Sequence, residues 1–147
     1  MTYHHIFVVN RKLGSFLEND AGAAAVEFAL LLPVFLLLIF GTVSYGSVFA
    51  TYNSVEQLAA EAARASVAGL TGSERDQLAR AYVTQNIGVY PLLDPARAQV
   101  TTSSGTTTFQ VDVSYDMSNS FVFKFRGIVP LPSSTVQRAA AIQFGGY

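Results

Sequence analysis

Few side chains in this sequence could do chemistry, and their positions say more than their types. The two histidines stand side by side as His4 and His5, there is no cysteine, and after Lys12 the only lysine is Lys124. Nucleophile–histidine arrangements and thiolate-held metals are therefore excluded from nearly the whole chain. No catalytic residue, cofactor site or metal site is predicted, and His4 and His5 read as a solvated terminus. Asp112 and Asp116 come nearest to paired carboxylates. Asp112 falls in the polar phase of an alternating stretch, which reads as solubilising. The carboxylate that needs a reason is Glu27, at the mouth of an apolar run in DAGAAAVEFALLLPV, residues 20–34. A charge there either rests in a headgroup layer at little cost or must be paired, because an unpaired charge in a low dielectric is expensive.

The apolar run dictates the element that positions Glu27. Residues 28–55 hold no Asp, Glu, Lys or Arg, whereas the rest of the 147-residue chain carries all the charged groups. The stretch FALLLPVFLLLIFGTVSYGSVFA, about residues 28–50, exceeds the roughly 20 residues with which a helix crosses a hydrocarbon core about 30 Å thick. One crossing is expected, with membrane lipid as its surroundings. Arg11 and Lys12 precede it and the nearest following basic residue is Arg64, a bias that predicts a cytoplasmic N-terminus and the bulk of the chain on the far side. Net charge is −1 and stays so if residues 1–22 are removed, so no nucleic-acid footprint and no polybasic lipid cluster is present.

Around that span the periods change. Ile6, Val9, Leu13, Phe16 and Leu17 keep a helical spacing in the first 22 residues. Val55, Leu58, Ala59, Ala62 and Ser66 continue a helical face beyond the span, with Glu61 and Arg64 spaced to pair on the opposite side. Its small residues suit either the protein's own sheet or a neighbouring molecule. Gly69 and Gly72 are expected to end this helix, and Ser73, with Asp76 three residues on, to open a second of about four turns. GVYPLLDPAR reads as a loop. Phe109, Val111, Val113 and Tyr115 alternate with polar residues as a half-buried strand, and Ser103–Gly105 permits a hairpin with the preceding AQVTTS. Phe121, Phe123 and Phe125 also alternate, and Val136, Ala140, Ile142 and Phe144 support a last strand. The expected fold class is α+β: a long N-terminal transmembrane helix continuing into water, a second helix, and an antiparallel sheet of three or four strands packed on the helix. So small a sheet needs a helix on its apolar face. Pro33 should open or kink the span near its start, and Gly41, Ser44 and Gly46 form a small-residue surface suited to close helix packing.

Gly22 followed by Ala23, Ala24, Ala25, Val26, Glu27 and Phe28 resembles the processing site of type IV pilin-like proteins. The run AGAAAVEFALLLPVFLLLIFG, with QLAAEAARA downstream, is similar to the opening of the TadE-like family, the minor pseudopilins of tight-adherence (Flp, type IVb) pilus systems. The resemblance is strongest over residues 21–66. It implies a pilin-like fold, a leader of residues 1–22 removed by a prepilin peptidase between Gly22 and Ala23, an N-terminal helix over 23–68, and an extracytoplasmic domain over 69–147. It further implies recognition through Glu27 and Phe28, with Glu27 of one subunit meeting the new amine of a neighbour. The implied partners are the peptidase, an inner-membrane assembly platform, a sister pseudopilin and the major Flp pilin. The implied location is a bacterial inner membrane with the C-terminal domain in the periplasm, and the scarcity of catalytic groups makes the expected role non-enzymatic.

Two other functional classes fit parts of the sequence. A single-pass anchored binding or adhesion module would use the Thr and Ser tract TTSSGTTT and would tolerate change at Gly22 and Glu27. A secreted domain would follow from cleavage after Ala50, at Val48-Phe49-Ala50, leaving Thr51 as its start, although the apolar run is longer than a signal peptide's.

Overall fold

A computed structural model describes residues 20–128 and 130–144. The helical face expected between Ile6 and Leu17 lies outside the described residues, as do His4 and His5. The chain is α+β, as its periods predict. A helix of 46 residues, α1 (Asp20–Ala65), leads into a single 3-10 turn (Ser66–Ala68), a second helix, α2 (Gly72–Asn86), and three strands, β1 (Ala98–Ser104), β2 (Thr108–Asp116) and β3 (Thr135–Gln143). The chain divides into two compact units at Thr42 and Val43.

The described part of the first unit is helix alone. Its large apolar side chains, from Val26 and Phe28 to Ile39 and Phe40, are all exposed, with Leu30 at 72% and Leu38 at 63%. Thr42 satisfies its hydroxyl by donating to the Leu38 carbonyl one turn back, at 2.8 Å. The helix runs without interruption through Pro33. Proline has no N–H, so the Ala29 carbonyl lacks its usual helical donor there.

The second unit builds a core on the remainder of α1. Ser44, Val48, Thr51, Val55, Leu58, Ala62 and Ser66 recur every three or four residues and are buried. This stripe extends the face expected from Val55 onward back to Ser44. It joins Ala79 and Val83 of α2, Ile87 just after it and the inward side of the sheet in one apolar cluster. The small-residue face is thus covered by the protein's own domain. Gly69 follows the 3-10 turn and ends the first helix, but Gly72 begins the second.

The sheet is antiparallel in the order β1, β2, β3. Val113 of β2 lies between Val100 and Arg138, and Tyr115 between Ala98 and Val136. Phe109, Val111, Val113 and Tyr115 are buried while Gln110, Asp112 and Ser114 are only partly covered, so the predicted alternation holds. The hairpin joining β1 and β2 also forms, closed by the Gly105 N–H to the Thr108 carbonyl at 2.7 Å. On β3 the inward Arg138 lies over the Tyr52 ring, 4.6 Å from its centre, and faces Glu56 of α1 at 3.7 Å.

Two expectations are corrected. The second helix is capped by Thr71, not Ser73. Thr71 Oγ1 accepts from the Glu74 N–H at 3.2 Å and the Glu74 carboxylate accepts from the Thr71 and Leu70 N–H groups, a full capping box. Asp76, read as the partner of Ser73, instead pairs with Arg80 at 2.8 Å and accepts from Thr102 Oγ1 of β1 at 2.5 Å. Residues Phe121–Phe125, whose alternation suggested a strand, form a 3-10 helix, leaving a sheet of three strands. Both Val122 and Phe123 are buried, a pair of adjacent positions that a strand with one covered face does not bury together. GVYPLLDPAR is a loop with two 3-10 turns, Ile87–Val89 and Pro95–Arg97.

Candidate functional site

The residues singled out for processing and recognition all lie on the first turns of α1. Gly22, Ala23, Glu27 and Phe28 are helical and exposed. A Cβ added at Gly22 would meet nothing within 4 Å, so its identity serves no packing need among the described residues. Glu27 precedes eleven large apolar residues between Phe28 and Phe40, all of them exposed. An exposed apolar surface of that extent needs lipid or neighbouring helices.

Further along α1 the small residues separate. Ser44 is 2% exposed, within the core of the second unit, whereas Gly46 faces open space and Gly41 has nothing within 4 Å of a built Cβ. Ser47 and Thr51 donate to the carbonyls of Val43 and Ser47, at 2.8 and 3.0 Å, so their hydroxyls need no outside partner.

Elsewhere the polar groups are occupied with holding the domain. Asp116 accepts from the Ser118 N–H and hydroxyl, and the N–H contact chiefly holds its carboxyl below the ordinary range. Asp112 accepts from Gln110 Nε2 at 2.9 Å. Four residues apart on one strand, the two aspartates stand about 13 Å from each other, too far to share a proton. A cleft of about 220 Å³ opens between α1, the 90–97 loop and the turn after β2, lined among others by Ser47, Thr51, Asp94 and Arg97. Its Tyr115 hydroxyl donates to the Leu92 carbonyl at 3.1 Å and accepts from the Asp94 N–H at 2.9 Å. Among the described residues no group of three His, Cys, Asp or Glu is placed to hold a metal ion.

Sequence reasoning did not single out Tyr45, and it read Phe121–Phe125 as a strand rather than as a segment fastened to α1. The Tyr45 hydroxyl donates to the Pro130 carbonyl, tying that segment to α1 just after the apolar run. The aromatic and basic residues of FVFKFR were the available signal, but their alternation suggested a strand.

Among the described residues, one helical stretch, Gly22–Ala68, is long and apolar enough to cross a membrane. The model of the TadE-like protein family matches residues 22–64. Over this segment the chain is TadE-like. The matched segment begins at Gly22 and ends one residue short of the end of α1, so the likeness belongs to this helix. No curated protein and no solved structure matches the chain.

Proposed function

We propose that this TadE-like chain is a minor pseudopilin that takes part in assembling a tight-adherence pilus for surface attachment. It inserts with its N-terminus in the cytoplasm and its domain in the periplasm, and a prepilin peptidase cuts between Gly22 and Ala23. The observation that carries the reading is the register of α1: glycine, then glutamate five residues later, then an uncovered apolar helix, all inside the family-matched segment.

Position gives Glu27 its role. It heads the apolar run directly, where a carboxylate drawn into the low-dielectric packing of neighbouring helices is costly unless paired. Cleavage creates an ammonium at Ala23, and pairing the Glu27 carboxylate of one subunit with the amine of the next offsets both charges while fixing the axial register of neighbouring helices. Phe28 and the apolar side chains after it supply lateral packing against the major pilin and the sister pseudopilin, and the assembly platform receives the inserted helix. The continuous passage through Pro33 leaves one carbonyl free near the start of this contact surface.

The secreted alternative loses support from the core. Release after Ala50 would remove buried Ser44 and Val48 and break the hydrogen bond between Ser47 and Thr51.

Glu27→Ala tests the proposal. The variant is expected to accumulate in the membrane at the normal level while pili, counted by electron microscopy and by sheared-fibre yield, fall sharply. Undiminished piliation with that variant as the sole copy would refute it.

A further inference from the structure

The segment that replaces the expected fourth strand has an unusual surface. Phe121 is half exposed and Ile128 67% exposed, while Lys124 and Arg126 between them face solvent. After Asp116 the chain carries three basic residues and no acidic one. Buried Val122 and Phe123 anchor the 3-10 helix to the core, with Arg126 stacked 5.1 Å from the centre of the Phe123 ring. The Tyr45 hydroxyl holds the far end by the Pro130 carbonyl. Tyr45 lies only two residues into the folded unit. Phe49, one turn further on the same helix face, is 64% exposed.

We propose that residues 121–128 form a membrane-interface foot, in which Phe121 and Ile128 enter the headgroup layer beside the exit of α1 while Lys124 and Arg126 contact anionic lipid phosphates. The occupant follows from continuity and charge. The segment is tied to the helix turn that directly continues the apolar run, Tyr45 and Phe49 supply the aromatic residues typical of a bilayer boundary, and the exposed cations match an anionic surface. Each such cation favours the surface by about fivefold, so the pair multiplies contact by about 25-fold. The foot would restrain the tilt of the domain on the bilayer before the subunit leaves it. This inference rests on the membrane-spanning part of the proposed function and not on cleavage or pilus assembly.

The chain has no tryptophan, so Ile128→Trp in the full-length protein gives a single reporter. The protein is reconstituted in vesicles of phosphatidylethanolamine and phosphatidylglycerol, with carbonate extraction to verify insertion. Expected are a blue-shifted emission, quenching by lipids brominated near the headgroup, and loss of most of that quenching when Lys124→Gln and Arg126→Gln are added or when phosphatidylglycerol is replaced by phosphatidylcholine. A water-like, unquenched emission from inserted protein overturns the foot and leaves the proposed function standing. Emission that shifts with protein-to-lipid ratio but not with lipid charge assigns the surface to a second copy and equally overturns it. Failure of the chain to insert contradicts both readings.

Discussion

Single side chains in the folded unit act mainly by satisfying backbone groups at junctions. Tyr115 is the clearest case, because its one hydroxyl serves both a carbonyl and an N–H of the 90–97 loop. That loop carries Leu92 at φ 74°, in a turn that Pro91 opens and the Leu93 N–H closes on the Tyr90 carbonyl at 3.3 Å. Tyr115→Phe should leave both loop groups without their partner and lower stability by about 1–3 kcal/mol, measured by thermal unfolding of the full-length protein in detergent. An unchanged midpoint would show that water replaces the hydroxyl. Carboxylates set the acid limit. Asp76 is held below its ordinary pKa chiefly by the Thr102 hydroxyl and then by Arg80, and Glu74 chiefly by the Leu70 and Thr71 N–H groups. A depressed folded value means that their stabilisation is present above the unfolded pKa, about 4, and is lost as pH falls through the lower folded value. Asp76→Asn should therefore flatten the fall of the midpoint below about pH 4, and an identical acid slope would contradict this assignment. The Thr102 partner was not legible in the sequence, because Thr102 and Asp76 are 26 residues apart and meet only once α2 docks on β1.

At the scale of elements, the junction of α1 and α2 depends on close backbone approach. A Cβ at Gly69 would stand 2.7 Å from the Arg75 backbone nitrogen and 2.8 Å from its Cγ. Gly69→Ala should cost about 1–3 kcal/mol through displacement of the first turn of α2, and Thr71→Ala about 1 kcal/mol through loss of the cap. Both are readable as lowered unfolding midpoints, and a Gly69→Ala protein of full stability would mean that the two elements part easily. The elements themselves were legible where one period dominates: α1 from its uncharged run and three-to-four spacing, β2 from strict alternation, and the hairpin from Ser-Ser-Gly. The second helix was found but its cap was misplaced by two residues, since Thr71-Gly-Ser-Glu74 and Ser73-Glu-Arg-Asp76 present overlapping signals. Phe121–Phe125 failed for a physical reason. Alternating aromatics over five residues fit a strand, but the adjacent pair Val122 and Phe123 is buried in the apolar core, and that tertiary demand overrides the local pattern.

For the whole molecule, the division of labour follows α1. Its first part offers uncovered apolar surface headed by Glu27, and its second part supplies the buried stripe on which α2 and the sheet fold. The family likeness covers this helix, whose long apolar run was readable from residues alone, whereas the sheet, whose contacts are distant in sequence, was readable only in outline. The proposal turns on where the working chain begins. A start at Ala23 places Glu27 fifth and gives it a cation to meet in a neighbour. The decisive measurement is the mature N-terminus of protein taken from the native envelope, by intact mass and sequencing of the terminal peptide. The account predicts a chain beginning at Ala23. A chain still beginning at Met1, or one beginning at Thr51, would contradict it.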